Sequence, residues 1–150
     1  MRAIRRADAG DAAAVARLFR AVRRTCLPYL PELHTPDEDL GFFRDRVFAD
    51  CEVWVTQADA IDGFIAFRTG WVDHLYIHPE RHRQGLGKSL LALAMNSSSP
   101  LRLWAFQRNT AAISFYRACG FREIERTDGT HNEEREPDVL MERLAPSAAQ

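Results

Sequence analysis

Cysteine, net charge and long apolar runs are all scarce in this chain of 150 residues. Its three cysteines, Cys26, Cys51 and Cys119, lie far apart and form no Cys-x-x-Cys pair. The sequence therefore excludes a disulfide framework and a zinc knuckle, and we predict no structural metal.

The formal net charge is only −1, which argues against a strong electrostatic hold on nucleic acid or on anionic lipid. No apolar run approaches the roughly 20 residues that a bilayer-spanning helix needs. The first residues are rich in arginine and alanine and contain no apolar signal core. We therefore expect a cytoplasmic protein without nucleic-acid or membrane partners.

A length of 150 residues suits one domain, which we assign to residues 1–144, with a flexible C-terminal tail over 145–150. Apolar patterning predicts strands over 3–7, 51–56, 61–68, 71–77, 101–106, 121–126 and 139–143. Amphipathic stripes, a capping box at Thr35 and a glycine stop at Gly120 predict the helices between them. The order β-α-α-β-β-β-α-β-α-β-β predicts an α/β fold with a sheet that is partly antiparallel and partly parallel.

The most informative stretch runs from a predicted strand through a short loop to two glycines, Gly85 and Gly87, at the start of a helix. Successive backbone N–H groups at a helix N-terminus form an anion site, and glycines let a phosphate approach the backbone closely. Arg83 and Lys88 add positive charge, so a pyrophosphate is the expected guest. A P-loop would need glycine where His82 stands, and a dinucleotide fingerprint would need glycine where Leu90 stands, so both fail.

This stretch resembles the acyl-CoA-binding segment of the GNAT acetyltransferases, with a (Gln/Arg)-x-x-Gly-x-(Gly/Ala) motif between a strand and a helix. Gly85 and Gly87 match the two small residues, while His82 stands where the family has Gln or Arg. The run from Asn109 to Phe121 resembles the family's second signature, Asn-x-x-Ala-x-x-Phe-Tyr-x-x-x-Gly-Phe. The resemblance implies a GNAT fold and acetyl-CoA as co-substrate. It places the following residues at acetyl-CoA: Leu75, Tyr76, Ile77, His82, Arg83, Gln84, Gly85, Leu86, Gly87, Lys88, Ser89, Asn109, Ala112 and Phe115.

The resemblance also implies roles in catalysis. The strand of Leu75, Tyr76 and Ile77 would pair with the pantetheine arm, and a backbone N–H near Ile77 would hold the oxyanion. Asn109 caps a helix and also reaches the CoA arm. Tyr116 would protonate the departing thiolate.

Candidates for the proton acceptor are less clearly marked in the sequence. Asp73 is the first candidate, because regular alternation along its strand puts it on one face with Leu75, whereas His74 would face a helix layer. Glu133, Glu134 and Glu136 are alternatives on a polar loop, although a solvated turn is the simpler interpretation of them. A water chain is a further alternative to any single base.

We therefore predict an N-acetyltransferase that moves an acetyl group to a primary amine of a small molecule or peptide, by direct attack in a ternary complex. The alternative is a non-catalytic module that binds or senses acyl-CoA. Loops 27–35 and 127–138 should wall the acceptor pocket, and their acidic content favours a cationic amine. A homodimer is compatible with this interpretation.

Overall fold

The structure is a computed structural model that describes residues 2–146, so that most of the predicted tail, residues 147–150, lies outside it. The described chain contains one seven-stranded sheet with helices on both faces. Its strands are β1 (Ala3–Arg6), β2 (Glu52–Gln57), β3 (Ile61–Arg68), β4 (Trp71–Ile77), β5 (Leu101–Phe106), β6 (Arg122–Thr127) and β7 (Asp138–Arg143). The helices are α1 (Ala12–Cys26), α2 (Pro36–Phe42), α3 (Phe48–Asp50), α4 (Leu86–Met95) and α5 (Thr110–Ala118).

Local signals in the sequence fix several helix ends. Thr35 accepts a hydrogen bond from the Glu38 backbone, and the Glu38 side chain bonds back to the Thr35 backbone, so the predicted capping box is confirmed. A π-helical turn (Phe43–Val47) then continues α2 into α3. None of the helices within residues 2–146 combines the length and the apolar character that a bilayer crossing requires.

The strand order across the sheet is β1-β2-β3-β4-β5-β7-β6, which confirms the predicted mixed sheet. Antiparallel pairing runs from β1 to β4, and again among β5, β7 and β6. Among the strands of residues 2–146, only β4 and β5 pair in parallel, through a single register position, Trp71 opposite Arg102. Beyond that position the two strands have no ladder between them, and the sheet opens into a cleft.

A hydrophobic cluster packs on each face of the sheet. On one face α4 and α5 cover the sheet with residues such as Leu90, Leu91 and Ile113. On the other face α1 and the π-helical turn contribute Val15 and Phe43, both fully buried. Complete burial of each such side chain stabilises the fold by roughly 1.5–3 kcal/mol, so the two clusters hold the helices firmly on either side of the cleft.

A β-bulge in β4 changes which side chains face which helix layer. Ala66 of β3 lies opposite His74, and the next residue, Phe67, lies opposite Val72, so Asp73 has no partner. Because of this extra residue, Val72 and Leu75 both contribute to the cluster under α4 and α5. His74 is among the aromatic rings under α1, which confirms the prediction that it faces a helix layer.

Candidate active site

The cleft between β4 and β5 holds an inner cavity of about 90 Å³. Its lining comes from β4, from β5, from α5 and from the residue that follows α1, and includes Leu75, Tyr76, Leu103, Ala105, Asn109, Ala112, Tyr116 and Leu27. Asn109, the N-cap of α5, lies three positions before Ala112 and seven before Tyr116, so the three side chains share one face of the helix. The structure therefore brings the second sequence signature against β4.

Backbone N–H groups of β4 point into this cleft. The His78 amide donates to the Asp62 carbonyl of the adjoining strand segment at 2.8 Å. In an antiparallel ladder alternate residues point their amides to opposite sides, so those of Leu75 and Ile77 point away from β3. They are therefore available to a carbonyl oxygen or to an extended ligand backbone lying between the two strands.

A cradle of amides lies where β4 leads into α4. Arg83 and Gly85 both have positive φ, 65° and 78°, so the chain curls before the helix begins. Ser89 is the first residue after this curl whose amide bonds to a carbonyl, that of Gly85 at 3.1 Å. Within the described chain, the backbone amides of residues 83–88 donate to no backbone carbonyl. Such a run of free donors, with Arg83 and Lys88 beside it, is suited to a pyrophosphate.

His82 stabilises this loop from within. Its Nε2 lies 2.8 Å from the Ile77 carbonyl, which can only accept, so the ring nitrogen donates. The ring thus ties the loop to the end of β4. In the tautomer that donates through Nε2, Nδ1 can only accept a hydrogen bond.

Gly87 has a packing role that the sequence did not reveal. A Cβ at this position would lie 3.3 Å from Cζ of Phe115 and 3.9 Å from Cγ1 of Ile77. The glycine therefore lets α4, α5 and β4 approach one another directly below the cradle. At Gly85 a Cβ would meet no atom within 4 Å. Glycine is favoured at this position by the positive φ alone.

Tyr116 lies in the cleft and is 8% exposed. Burial raises the pKa of its hydroxyl, and the nearby Tyr76 hydroxyl raises it further, so Tyr116 keeps its proton at neutral pH. Asn109 caps α5 by accepting a hydrogen bond from the Ala112 amide at 3.2 Å, and it lines the same cavity. Its two predicted roles are therefore compatible in space.

Asp73 does not share a face with Leu75, and the bulge is the reason that this expectation is wrong. Its carboxylate accepts hydrogen bonds from the Arg68 guanidinium at 2.7 and 3.2 Å and from the Cys51 thiol at 3.4 Å. Burial, followed by the Asp73 contact, raises the pKa of Cys51 to about 12, so the thiol stays protonated. The predicted role of Asp73 as proton acceptor stays a prediction, and its ion pair weighs against it.

The three glutamates of the β6–β7 loop are all bonded to other side chains. Glu136 is only 8% exposed and receives two bonds of 2.7 Å from Arg108, so a solvated turn is wrong for this residue. The Arg108 guanidinium also holds the pKa of Glu136 below its usual range. Glu134 pairs with Arg23 at 2.8 Å, and Glu133 bonds the ring of His34.

An outer cavity of about 740 Å³ lies between α1, the loop after it, the start of α2 and the β6–β7 loop. Both loops that were expected to wall an acceptor pocket contribute to its lining. Its charged lining consists of three arginines and five carboxylates: Arg20, Arg23, Arg24, Glu32, Glu38, Asp39, Glu133 and Glu134. Carboxylates therefore outnumber cations around this cavity.

Three further side chains lie near the two cavities, and no sequence motif marks them as site residues. His74 lines both cavities, and burial lowers its pKa to about 4, so the ring is uncharged. Trp104 lines the inner cavity and packs on His131 with ring centroids 4.8 Å apart. Arg23 stacks on Phe19 at 5.0 Å. The position of His74 depends on the bulge at Asp73, and no feature of the sequence marks that bulge.

No three His, Cys, Asp or Glu side chains gather as a metal site would require, as far as residues 2–146 extend.

Two curated relatives match about half of the chain. Peptidyl-lysine N-acetyltransferase YiaC of Escherichia coli (strain K12) is 31% identical over 84 residues, which cover 55% of this chain and 58% of the relative. Peptidyl-lysine N-acetyltransferase YjaB of Salmonella typhimurium is 33% identical over 76 residues, 51% of this chain and 52% of the relative. The matched part thus spans little more than half the length of either relative.

Solved structures resemble the chain over nearly its whole length. Apo-form YjaB from Escherichia coli aligns with a TM-score of 0.77 at 18% identity, covering 97% of this chain and 99% of the other. The PaiA N-acetyltransferase of Thermoplasma acidophilum, in complex with coenzyme A, aligns with a TM-score of 0.72 at 21% identity and the same coverage. At these identities the likeness establishes the fold.

The family described as acetyltransferase (GNAT) domain matches residues 49–123, half of the chain and all of β4, the cradle and α5. The chain belongs to the GNAT acetyltransferase family.

Proposed function

We propose that this protein transfers an acetyl group from acetyl-CoA to a primary amine. The observation that carries the proposal is the cleft between β4 and β5, with the amide cradle of residues 83–88 at its mouth and the Tyr116 ring in its wall. The pyrophosphate of the donor would lie on the cradle. The pantetheine arm would follow the free amides of β4 toward the inner cavity, where the thioester would lie.

The transfer forms one bond and breaks one bond. A neutral amine attacks the thioester carbonyl, the C–N bond forms, the C–S bond breaks, the amine loses a proton and the thiolate gains one. The amide of Leu75 or Ile77 holds the oxyanion, a kind of contact worth a few kcal/mol in comparable sites. Tyr116 gives the departing sulfur its proton. Asp73 or water takes the proton of the amine.

The outer cavity would bind the acceptor. Its excess of carboxylates favours a cationic amine, and 740 Å³ lies within the usual range for ligand pockets. Both curated relatives are named as peptidyl-lysine N-acetyltransferases, so a lysine side chain in a peptide is the first acceptor to test.

Two measurements on the intact chain test this proposal. Acetyl-CoA at 100 times its Kd should stabilise the fold by about 2.7 kcal/mol and raise its melting temperature. Arg83→Glu should remove most of this shift, because it puts negative charge beside the cradle. Arg46→Glu makes the same charge change at an exposed residue that lines neither cavity, and should leave the shift intact.

Release of CoA should then be measured with a blocked peptide that contains one lysine. Release that depends on both substrates supports acetyl transfer. A melting shift without release, for any amine in a broad panel, would instead assign the chain to the acyl-CoA-binding modules. The absence of a shift at millimolar acetyl-CoA would refute both.

A further inference from the structure

The two cavities have two lining residues in common, Leu27 and His74. Leu27 follows the last residue of α1, and His74 lies in β4 beside the bulge. These two side chains therefore lie at the boundary between the two cavities, on the side from which an acceptor in the outer cavity would approach the cleft. We call the boundary formed by Leu27 and His74 the neck.

Both residues of the neck are held in place. Leu27 is 5% exposed, and its amide bonds to the Arg23 carbonyl at 2.9 Å, so the end of α1 fixes its position. The His74 ring is surrounded by aromatic rings whose centroids lie 5.4 to 6.4 Å away: Phe19, Phe42, Phe43, Phe64 and Tyr76. Closely packed side chains of this kind move little to admit a larger group.

The sizes of the two cavities differ about eightfold, 740 Å³ outside the neck and 90 Å³ inside it. The inner volume corresponds to only a few water molecules. It leaves room for the reacting groups and little else, so the bulk of an acceptor has to remain outside the neck.

We propose that the neck of Leu27 and His74 determines acceptor specificity, by admitting primary amines on an unbranched carbon chain and rejecting those on a branched carbon. This inference rests on the proposed acetyl transfer and adds the substrate class and the two residues that select it. A lysine side chain has an unbranched amine, whereas the amine of an N-terminal residue other than glycine is on a branched carbon. The uncharged His74 ring adds no electrostatic repulsion to an approaching amine.

The test compares 1-aminohexane with 2-aminohexane, which have the same atoms and charge but differ in branching next to nitrogen. For the parent protein we expect kcat/KM to favour 1-aminohexane by at least about tenfold, the scale of discrimination for one added carbon in a tight pocket. His74→Ala and Leu27→Ala should each reduce this ratio by about fivefold or more, because each widens the neck. His74→Phe keeps a ring of similar size and should preserve the ratio.

The ratio of two substrates measured on one sample cancels any loss of folded protein, which matters because Leu27 is buried. Val22→Ala is the matched control, since Val22 is equally buried in α1 but lines neither cavity, and its ratio should equal that of the parent. Equal kcat/KM for both amines in the parent protein would refute selection at the neck and would leave the proposed acetyl transfer intact. An unchanged ratio in both alanine variants would also overturn it. No turnover of any amine would refute the proposed function itself.

Discussion

Replacing Tyr116 with phenylalanine removes one oxygen and tests the proposed acid directly. The ring packs against Phe115 and Phe121 with centroids 5.3 and 5.6 Å apart, and phenylalanine can keep both contacts. The variant therefore loses at most about one neutral hydrogen bond, roughly 1 kcal/mol of folding free energy. In a domain of this size that corresponds to a melting temperature about 2–4 °C lower.

The expected loss of turnover is much larger than the loss of stability. Burial raises the pKa of the Tyr116 hydroxyl, so that it is fully protonated and able to donate across the neutral range. A positioned acid contributes roughly a hundredfold or more to the rate, so kcat should fall by at least that factor, which is about 2.7 kcal/mol of activation free energy. Acetyl-CoA affinity should hardly change, because the hydroxyl acts mainly in the transition state.

The assay measures kcat and acetyl-CoA binding for the parent and for Tyr116→Phe with one active amine. A second acyl donor with a more acidic thiol should show a smaller loss, since its leaving group needs the proton less. Full turnover in Tyr116→Phe would remove this residue from the mechanism and make water the proton donor. A loss of binding equal to the loss of rate would show that Tyr116 is a packing residue only.

Three further predictions concern the surroundings of the cleft. Asp73→Asn should reduce kcat by less than about threefold, because Arg68 already holds the carboxylate, and a hundredfold loss in steady-state kinetics would establish it as the base. Arg108→Gln should lower the melting temperature at pH 7. Because Arg108 depresses the pKa of Glu136, this difference should shrink as the pH falls below the ordinary value of 4.5, and thermal melts from pH 7 to 3 would show whether it does. Gly87→Val should destabilise the fold by about 1–3 kcal/mol in urea titrations, since an added Cβ would press on the aromatic ring 3.3 Å away, whereas unchanged stability would show that α4 shifts freely.

The features that the sequence predicted correctly depend on neighbours along the chain. The capping box at Thr35 and the i, i+3, i+7 spacing of Asn109, Ala112 and Tyr116 need only local geometry, and the structure shows both. The cradle is local too, because Gly85 and Gly87 lie two residues apart at one helix start. A motif whose atoms all come from one short segment can be located before the fold is known.

The features that the sequence did not predict depend on pairing between distant segments. The position of β7 between β5 and β6 follows from ladders with both strands, and nothing in its own six residues specifies those partners. The bulge at Asp73 arises because β3 and β4 differ by one residue between their paired positions. One extra residue separated Asp73 from the face of Leu75, which it was expected to share, so the regular alternation of a strand was the wrong guide at this point.

The surroundings of the four carboxylates that are candidates for the base suggest where the amine loses its proton. Asp73 is bonded to Arg68, Glu134 to Arg23, Glu136 to Arg108 and Glu133 to the His34 ring, so none of the four is a free carboxylate. His74 lies at the neck, but burial lowers its pKa to about 4, which makes it a weak acceptor for a proton from an ammonium group of pKa about 10. The amine should therefore lose its proton to water before it enters the cleft. It follows that kcat/KM should rise with pH up to the pKa of the acceptor amine. This rising part of the pH profile should move to lower pH when an amine of lower pKa replaces the first. The test is to measure kcat/KM against pH for both amines with the parent protein. A rise at the same pH for both amines would reflect the titration of a group of the protein and would contradict proton loss to water.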